Sequence, residues 1–347
     1  MVGLVAASSF YQPQRGTGNV EYTTLGNTGL EVSRLCLGCM SFGSSESREW
    51  ILDEAESREI IERAIDLGIN FFDTANVYSM GESERILGDV LADYDRDSQV
   101  VATKTHPEWT PGSYPPNADG GGLSRKAIEQ DVEDSLERLG MDTVDLYQIH
   151  RWDYETPIEV TLETLDDLVR RNQVRYVGAS SMWAHQFAKA LHASDRLGLE
   201  RFATMQNHYN LVYREEEREM LPLCEKENVG VIPWSPLAQG YLTRPHDELT
   251  ATARGESLAD RHEEYRSGGG PTINERVAEL ADEYGVTMAQ VSLAWLLGRD
   301  AVDAPIVGTT SVEHLEQAVE AVSLDLDDSD AEWLEEAYEP VPVSGHD

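Results

Sequence analysis

Two spacings of apolar residues alternate along the chain. Short runs that are apolar at nearly every position recur: RLCLG (34–38), NFFD (70–73), VVATK (100–104), VDLYQIH (144–150), VRYVGAS (174–180), ATMQN (203–207), VGVIPWS (229–235) and APIVG (304–308). Such runs predict strands covered on both faces, as in parallel sheets. Segments with helical spacing stand between them. REIIERAIDLG (58–68) puts Ile61, Ala64 and Ile65 on one face and stops at Gly68. SERILGDVLADY (83–94) follows, and RKAIEQDVEDSLERLG (125–140) aligns Ile128, Val132, Leu136 and Leu139. The helix after the fourth strand opens on Thr156-Pro157-Ile158-Glu159, which predicts a capping box with proline at the first helical position. Ahead of all these, YTTLGNTGLEVS (22–33) reads as a short hairpin around Gly-Asn-Thr-Gly.

The strand-like runs number eight. The candidate strand ends Asp73, Lys104, His150, Ser180, Gln206 and Trp234 lie 31, 46, 30, 26 and 28 residues apart. A repeat near 30 residues is one strand plus one returning helix, and eight such units predict a (β/α)8 barrel. The open dinucleotide-binding sheet is disfavoured, because no G-x-G-x-x-G follows the first strand. The expected organisation is a tail over residues 1–20 and one barrel domain over 21–347. Residues 105–123, with Trp109 and Tyr114, and the polar stretch 241–270, ending SGGG, are expected as loops at the barrel mouth, the second one mobile.

Charge narrows the classes of partner. The chain has 64 acidic and 27 basic residues, a net charge of −37, and only four lysines: Lys104, Lys126, Lys189 and Lys226. That balance excludes nucleic acid and anionic membranes as expected partners. It predicts a hydrated acidic surface whose self-repulsion is relieved by salt. Cys36, Cys39 and Cys224 are too few for a disulfide framework, and Cys36-Leu37-Gly38-Cys39 sits inside an apolar run that reads as strand rather than redox motif. With no apolar stretch of membrane length and no secretion signal in residues 1–20, the expected compartment is the cytoplasm.

Three successive strands end on ionisable groups, FFD73, VATK104 and YQIH150, and Tyr78 lies five residues past Asp73. In a barrel these positions converge on one mouth. The set suits proton transfer at a carbonyl. A phenol is a poor acid at neutral pH, a nearby ammonium eases loss of its proton, and a buried ammonium needs a counterion. Here Lys104 is the candidate ammonium, Asp73 its counterion, and His150 a hydrogen-bond partner for the carbonyl oxygen. Neither H-E-x-x-H nor G-x-S-x-G is present, so metal hydrolysis and serine chemistry have no support.

The stretch FFDTANVYSMGESERILG, together with VATK, LYQIH and GASS at matching places, resembles the aldo-keto reductase family from Tyr22 onward. GASSMW, WSPLAQG and the closing VPVSGH are most similar to its aryl-alcohol dehydrogenase-like branch. The resemblance implies a barrel floored by the hairpin. It also implies reversible reduction of aldehydes or ketones with NADPH or NADP+ as cofactor pair, NADH being accepted less well. It makes Tyr78 the general acid, with Lys104 and Asp73 lowering its pKa and His150 orienting the substrate. Ser180, Ser181 and Gln206 are implied at the nicotinamide carboxamide, Trp234 under its ring, and Ser235, Leu237 and Gly240 along the pyrophosphate. Gly308, Thr310, His314 and Gln317 fall where many members place a cation for the 2′-phosphate; this chain has neutral groups there, with the helix starting near Val312 as a further donor of N–H groups. Trp109 and Trp152 are the candidate substrate contacts, with a small-molecule carbonyl compound as partner. Two other readings stay open: a Schiff-base lyase using Lys104, and a nucleotide-binding, redox-sensing subunit.

Overall fold

The computed structural model describes residues 20–44, 50–105, 122–251 and 253–346. A hairpin, β1 (Tyr22–Thr24) and β2 (Glu31–Ser33), is followed by eight parallel strands: β3 (Cys36–Gly38), β4 (Phe71–Asp73), β5 (Val100–Thr105), β6 (Val144–Ile149), β7 (Val174–Ser180), β8 (Thr204–Gln206), β9 (Gly230–Val231) and β10 (Ile306–Val307). They pair in chain order from β3 to β9, and β10 returns to pair with β3. The seam between β9 and β10 is closed by Asp303 N–H to Val231 O (2.9 Å) and Ile306 N–H to Pro233 O (2.8 Å). This is the (β/α)8 barrel that the strand spacing predicts.

Helices α1 (Glu54–Asp66), α2 (Glu82–Leu91), α3 (Arg125–Leu139), α4 (Ile158–Arg170), α5 (Ala184–Leu197) and α6 (Met220–Glu227) sheath the first six strand units. After β9 come α7 (Ala253–Ser257), α8 (Ala259–Arg266), α9 (Gly270–Tyr284) and α10 (Met288–Leu297); α11 (Val312–Glu320) and α12 (Asp328–Glu336) follow β10. Residues 241–270, expected as a mobile loop, therefore contain two short helices. Tyr265 and His262 of α8 are buried, and that burial anchors the segment on the barrel mouth. The start of α4 also differs from expectation. Pro157 is the cap residue and makes no side-chain cap bond; Asp153 instead accepts the N–H groups of Glu155 (2.8 Å) and Thr156 (3.2 Å). No helix among the described residues is long and apolar enough to cross a membrane.

The barrel interior explains where polarity appears. Side chains alternate along a strand, so every second residue points inward. The inward set near the floor is apolar: Cys36, Phe71, Val100, Ala102, Leu146, Ile232, Ala304 and Ile306 pack with Leu25 and Val32 of the hairpin into one buried cluster. The hairpin thus plugs the floor. Continuing the same alternation toward the mouth gives Asp73, Lys104, Gln148, His150, Ser180, Gln206 and Trp234. One interior carries a dry half and a polar half.

Candidate active site

The polar half is built around one ammonium. Lys104 is fully buried and donates to Asp73 Oδ1 (2.5 Å), to the Thr74 carbonyl (2.8 Å) and to the Tyr78 hydroxyl (3.2 Å). The other carboxylate oxygen of Asp73 accepts from Gln148 Nε2 (3.0 Å) and Gln206 Nε2 (2.9 Å). A buried carboxylate is costly unless its lone pairs are filled, and here both oxygens are. Strand register sets this up: Asp73 lies opposite Ala102, Lys104 opposite Gln148, and Ser180 opposite Gln206. At Gly178 a Cβ would come within 3.0 Å of Gln148 Cγ and 2.3 Å of Thr204 Oγ1, so glycine leaves the path that Gln148 takes to Asp73.

Tyr78 reaches the lysine from a tight turn. Ser79 (φ 48°) and Met80 (φ 60°) both take the left-handed conformation, which costs non-glycine residues roughly 1–2 kcal/mol each. Such backbone persists where the surroundings fix it, and here it holds the phenol over the mouth. The His150 ring meets the Tyr78 ring edge-on, centroids 5.9 Å apart. Both rings line the same cavity.

The electrostatics correct one expectation. Burial is the largest influence on the Tyr78 phenol and raises its pKa. Lys104 pulls it down, Asp73 pushes it up, and the sum is upward. The direct effect of Asp73 on the tyrosine is thus to raise its pKa, and any help toward losing the proton comes through the lysine that Asp73 keeps charged. For Lys104, burial opposes the charge, but Asp73 and then Tyr78 outweigh it and its pKa rises. The resting pair is a charged ammonium beside a protonated phenol.

A cavity of about 650 Å³ opens on this pair. Its wall includes Asp73, Tyr78, His150, Ser180, Gln206, Trp234, Ser235, Leu237, Gly240, Gly308, Thr310, His314 and Gln317, all singled out from the sequence. Lys104 sits behind that wall. Ser181 is buried and accepts a hydrogen bond from Trp234 Nε1 (2.9 Å), so it fixes the indole rather than facing the cavity. Trp152 packs against the hydrophobic core instead of lining the cavity. Trp109 and Tyr114 lie outside the described residues.

A nicotinamide ring fits what is present. His208 stacks on Trp234 at 4.2 Å and Tyr213 stacks on His208 at 4.1 Å, so a pile of three rings backs the indole. Gln206 spends its amide hydrogens on Asp73 and Gln148 (3.2 Å), which turns its carbonyl into the group left for a ligand amide. In the loop 234–240, Ser235 (φ 52°), Ala238 (φ 49°) and Gln239 (φ 55°) all adopt left-handed backbone, as segments shaped around a ligand do. Sequence reasoning missed Gln148, Arg151, His208 and Arg244. The strand alternation from His150 back to Gln148 was the available signal for the first. The described residues hold no cluster of metal-ligating side chains.

The sequence pattern of the Aldo/keto reductase family matches residues 34–339. An aldo-keto reductase of Alternaria alternata is 42% identical over 345 residues, covering 94% of this chain and 93% of its own length. A putative aryl-alcohol dehydrogenase of Schizosaccharomyces pombe is 44% identical over 345 residues, 93% of this chain and 97% of its own. Versiconal hemiacetal acetate reductase of Aspergillus parasiticus is 41% identical over 342 residues, 93% of this chain and 98% of its own.

Proposed function

This chain belongs to the aldo/keto reductase family and is an NAD(P)H-dependent carbonyl reductase, and from that premise we propose that Tyr78 is its proton donor, supported by Lys104 and Asp73. The observation that carries the assignment is the line Asp73–Lys104–Tyr78, with contacts of 2.5 and 3.2 Å inside a buried pocket. When bound, the cofactor supplies a hydride to the carbonyl carbon. As that carbon is reduced, its oxygen gains negative charge and takes the phenolic proton of Tyr78. Lys104 stabilises the phenolate left behind, and Asp73 keeps Lys104 charged throughout. His150 faces the same space and orients the carbonyl oxygen. Run backward, the same groups accept the proton of an alcohol.

Trp234, braced by His208, receives the flat ring of the cofactor, with Ser180 and the Gln206 carbonyl at its amide. Ser235, Leu237 and Gly240 follow the pyrophosphate. NADPH is preferred over NADH. The expectation of only neutral groups for the 2′-phosphate changes once Arg244 is seen in the cavity wall, because a guanidinium gives that phosphate a charge-assisted bond. Thr310, His314, Gln317 and the N-terminus of α11 lie on the same cavity side of the barrel.

A Schiff-base role for Lys104 is opposed by its state. The nucleophile there has to be a neutral amine, and Lys104 is held charged by three acceptors. The test of the proposal is consumption of NADPH with 4-nitrobenzaldehyde, read by the loss of nicotinamide absorbance. Product alcohol in step with cofactor loss supports it; binding of NADPH without turnover of any aldehyde or ketone overturns it. Fluorescence titration tests the cofactor preference, and NADH binding as tight as NADPH contradicts it.

A further inference from the structure

Acids outnumber bases more than two to one in this chain, so its arginines seldom want for a partner. Among the arginines whose side chains are described, only Arg34, Arg151 and Arg244 lack a carboxylate within 4.0 Å. Arg34 is accounted for by two backbone carbonyls, those of Val302 and Leu297. The other two line the active-site cavity. Arg244 is assigned above to the cofactor phosphate. Arg151 stands with Tyr78, His150 and Trp234 and has no assignment.

Its surroundings leave it unsatisfied as a cation. The guanidinium donates to its neighbour's carbonyl, His150 O (2.7 Å), and lies 6.0 Å from the Trp234 ring centroid. The carboxylates close by are already engaged. Asp73 holds Lys104, Gln148 and Gln206. Asp153, two residues on, accepts the backbone N–H groups of Leu123, Glu155 and Thr156. Burial pulls the Arg151 pKa down, which marks the cost of its unneutralised charge. A guanidinium has five donors in a fork that matches a carboxylate. Beyond the His150 carbonyl the fork has no hydrogen-bond partner among the described residues, and Arg151 stands in the wall of the cavity that a carbonyl compound must enter.

Resting on the reductase reading, we propose that Arg151 is an anion subsite and that the substrates bind as carbonyl compounds carrying a carboxylate, the carboxylate on Arg151 and the carbonyl at Tyr78. The two cations of the cavity wall then divide the work, Arg244 taking the cofactor's phosphate and Arg151 the substrate's acid group. A neutral aldehyde of the same shape enters without that anchor.

The experiment compares 4-formylbenzoate and 3-formylbenzoate with their methyl esters, in which a neutral and slightly larger group replaces the carboxylate, using NADPH and the full chain. In the wild type, kcat/KM for at least one acid exceeds that of its ester. Arg151→Met lowers that acid-to-ester ratio by about tenfold or more, the loss expected for a charged hydrogen bond. Arg151→Lys recovers part of it, which also guards against misfolding of the first variant. An unchanged ratio overturns the proposal, even with both rates reduced, because an effect of Arg151 on Tyr78 scales acid and ester alike. A wild type that reduces the esters but neither acid overturns it too, and leaves the reductase reading standing. If no aldehyde is turned over, the reductase reading fails, and calorimetry with benzoate decides the subsite alone. Binding lost in Arg151→Met supports it, and equal or absent binding in the wild type overturns it.

Discussion

Each end of the barrel holds a carboxylate away from bulk water, fully at the mouth and in part at the floor, and the two are compensated in opposite ways. At the mouth, Asp73 faces the ammonium of Lys104 and two amide side chains. At the floor, Asp303 accepts the backbone N–H of Gly26 in the hairpin turn (2.8 Å), and no cation lies within 4.0 Å of it among the described residues. Burial therefore pushes the Asp303 pKa up to about 6, offset in part by that N–H and by Arg34. The floor carboxylate is a structural acceptor that tolerates a proton. The mouth carboxylate exists to hold a charge next to Tyr78. The more deeply buried of the two, Asp73, is the one that is given a cation.

Breaking the mouth has the largest consequence. Lys104→Met removes the cation and strands Asp73, so we expect stability to fall by about 3–5 kcal/mol in denaturant titration, along with loss of turnover. Adding Asp73→Asn to that variant recovers much of the stability and none of the activity. If the double variant is no more stable than Lys104→Met, Asp73 is not the charge that the lysine neutralises.

The floor behaves in the opposite sense. The folded-state pKa of Asp303 lies above its unfolded value, so its contribution to stability is fullest below about pH 4 and is lost as pH rises toward 6. Asp303→Asn keeps an acceptor for Gly26 and removes the partly buried charge. It is expected to match the wild type near pH 4 and exceed it at pH 7, by up to about 3 kcal/mol for a shift of this size. A variant less stable than the wild type at pH 7 contradicts the assignment. Asp131, buried against Thr105 (2.6 Å) with its pKa also raised to about 6 by burial, adds to the same window.

A smaller effect separates the ends of the cofactor site. Arg244→Met is expected to weaken NADPH binding about tenfold in fluorescence titration while NADH changes less. Equal weakening of both moves Arg244 away from the 2′-phosphate. The mildest effect is at the surface, where salt raised from 0.1 to 2 M is expected to increase Tm through screening of the acidic shell, with both barrel ends unaffected. A Tm that falls with salt contradicts that reading.

Much of this was legible in the sequence because barrel strands end where function sits. FFD, VATK and YQIH announced Asp73, Lys104 and His150, and the spacing of about 30 residues announced the barrel. Gln148 was overlooked because a glutamine inside an apolar run draws little notice; counting back two residues from His150 puts it on the inward face, and strand register then aims it at Asp73. Arg151 and Arg244 were hidden for another reason. What marks them is a missing partner, and absence of an ion pair is a property of three-dimensional neighbours. Trp152 misled because an aromatic residue just past a strand end can turn to the core as readily as to the mouth. Residues 241–270 misled because polar composition concealed the two aromatic anchors, Tyr265 and His262, that fold α8 against the barrel.

The central claim is that the Asp73–Lys104–Tyr78 line delivers a proton from the phenol. Its most direct test is the kcat of Tyr78→Phe with NADPH and 4-nitrobenzaldehyde, together with a cofactor titration of the same variant. Loss of the acid is expected to lower kcat by about 10²–10⁴-fold while NADPH binding is retained. A Tyr78→Phe enzyme that keeps most of the wild-type kcat contradicts the account.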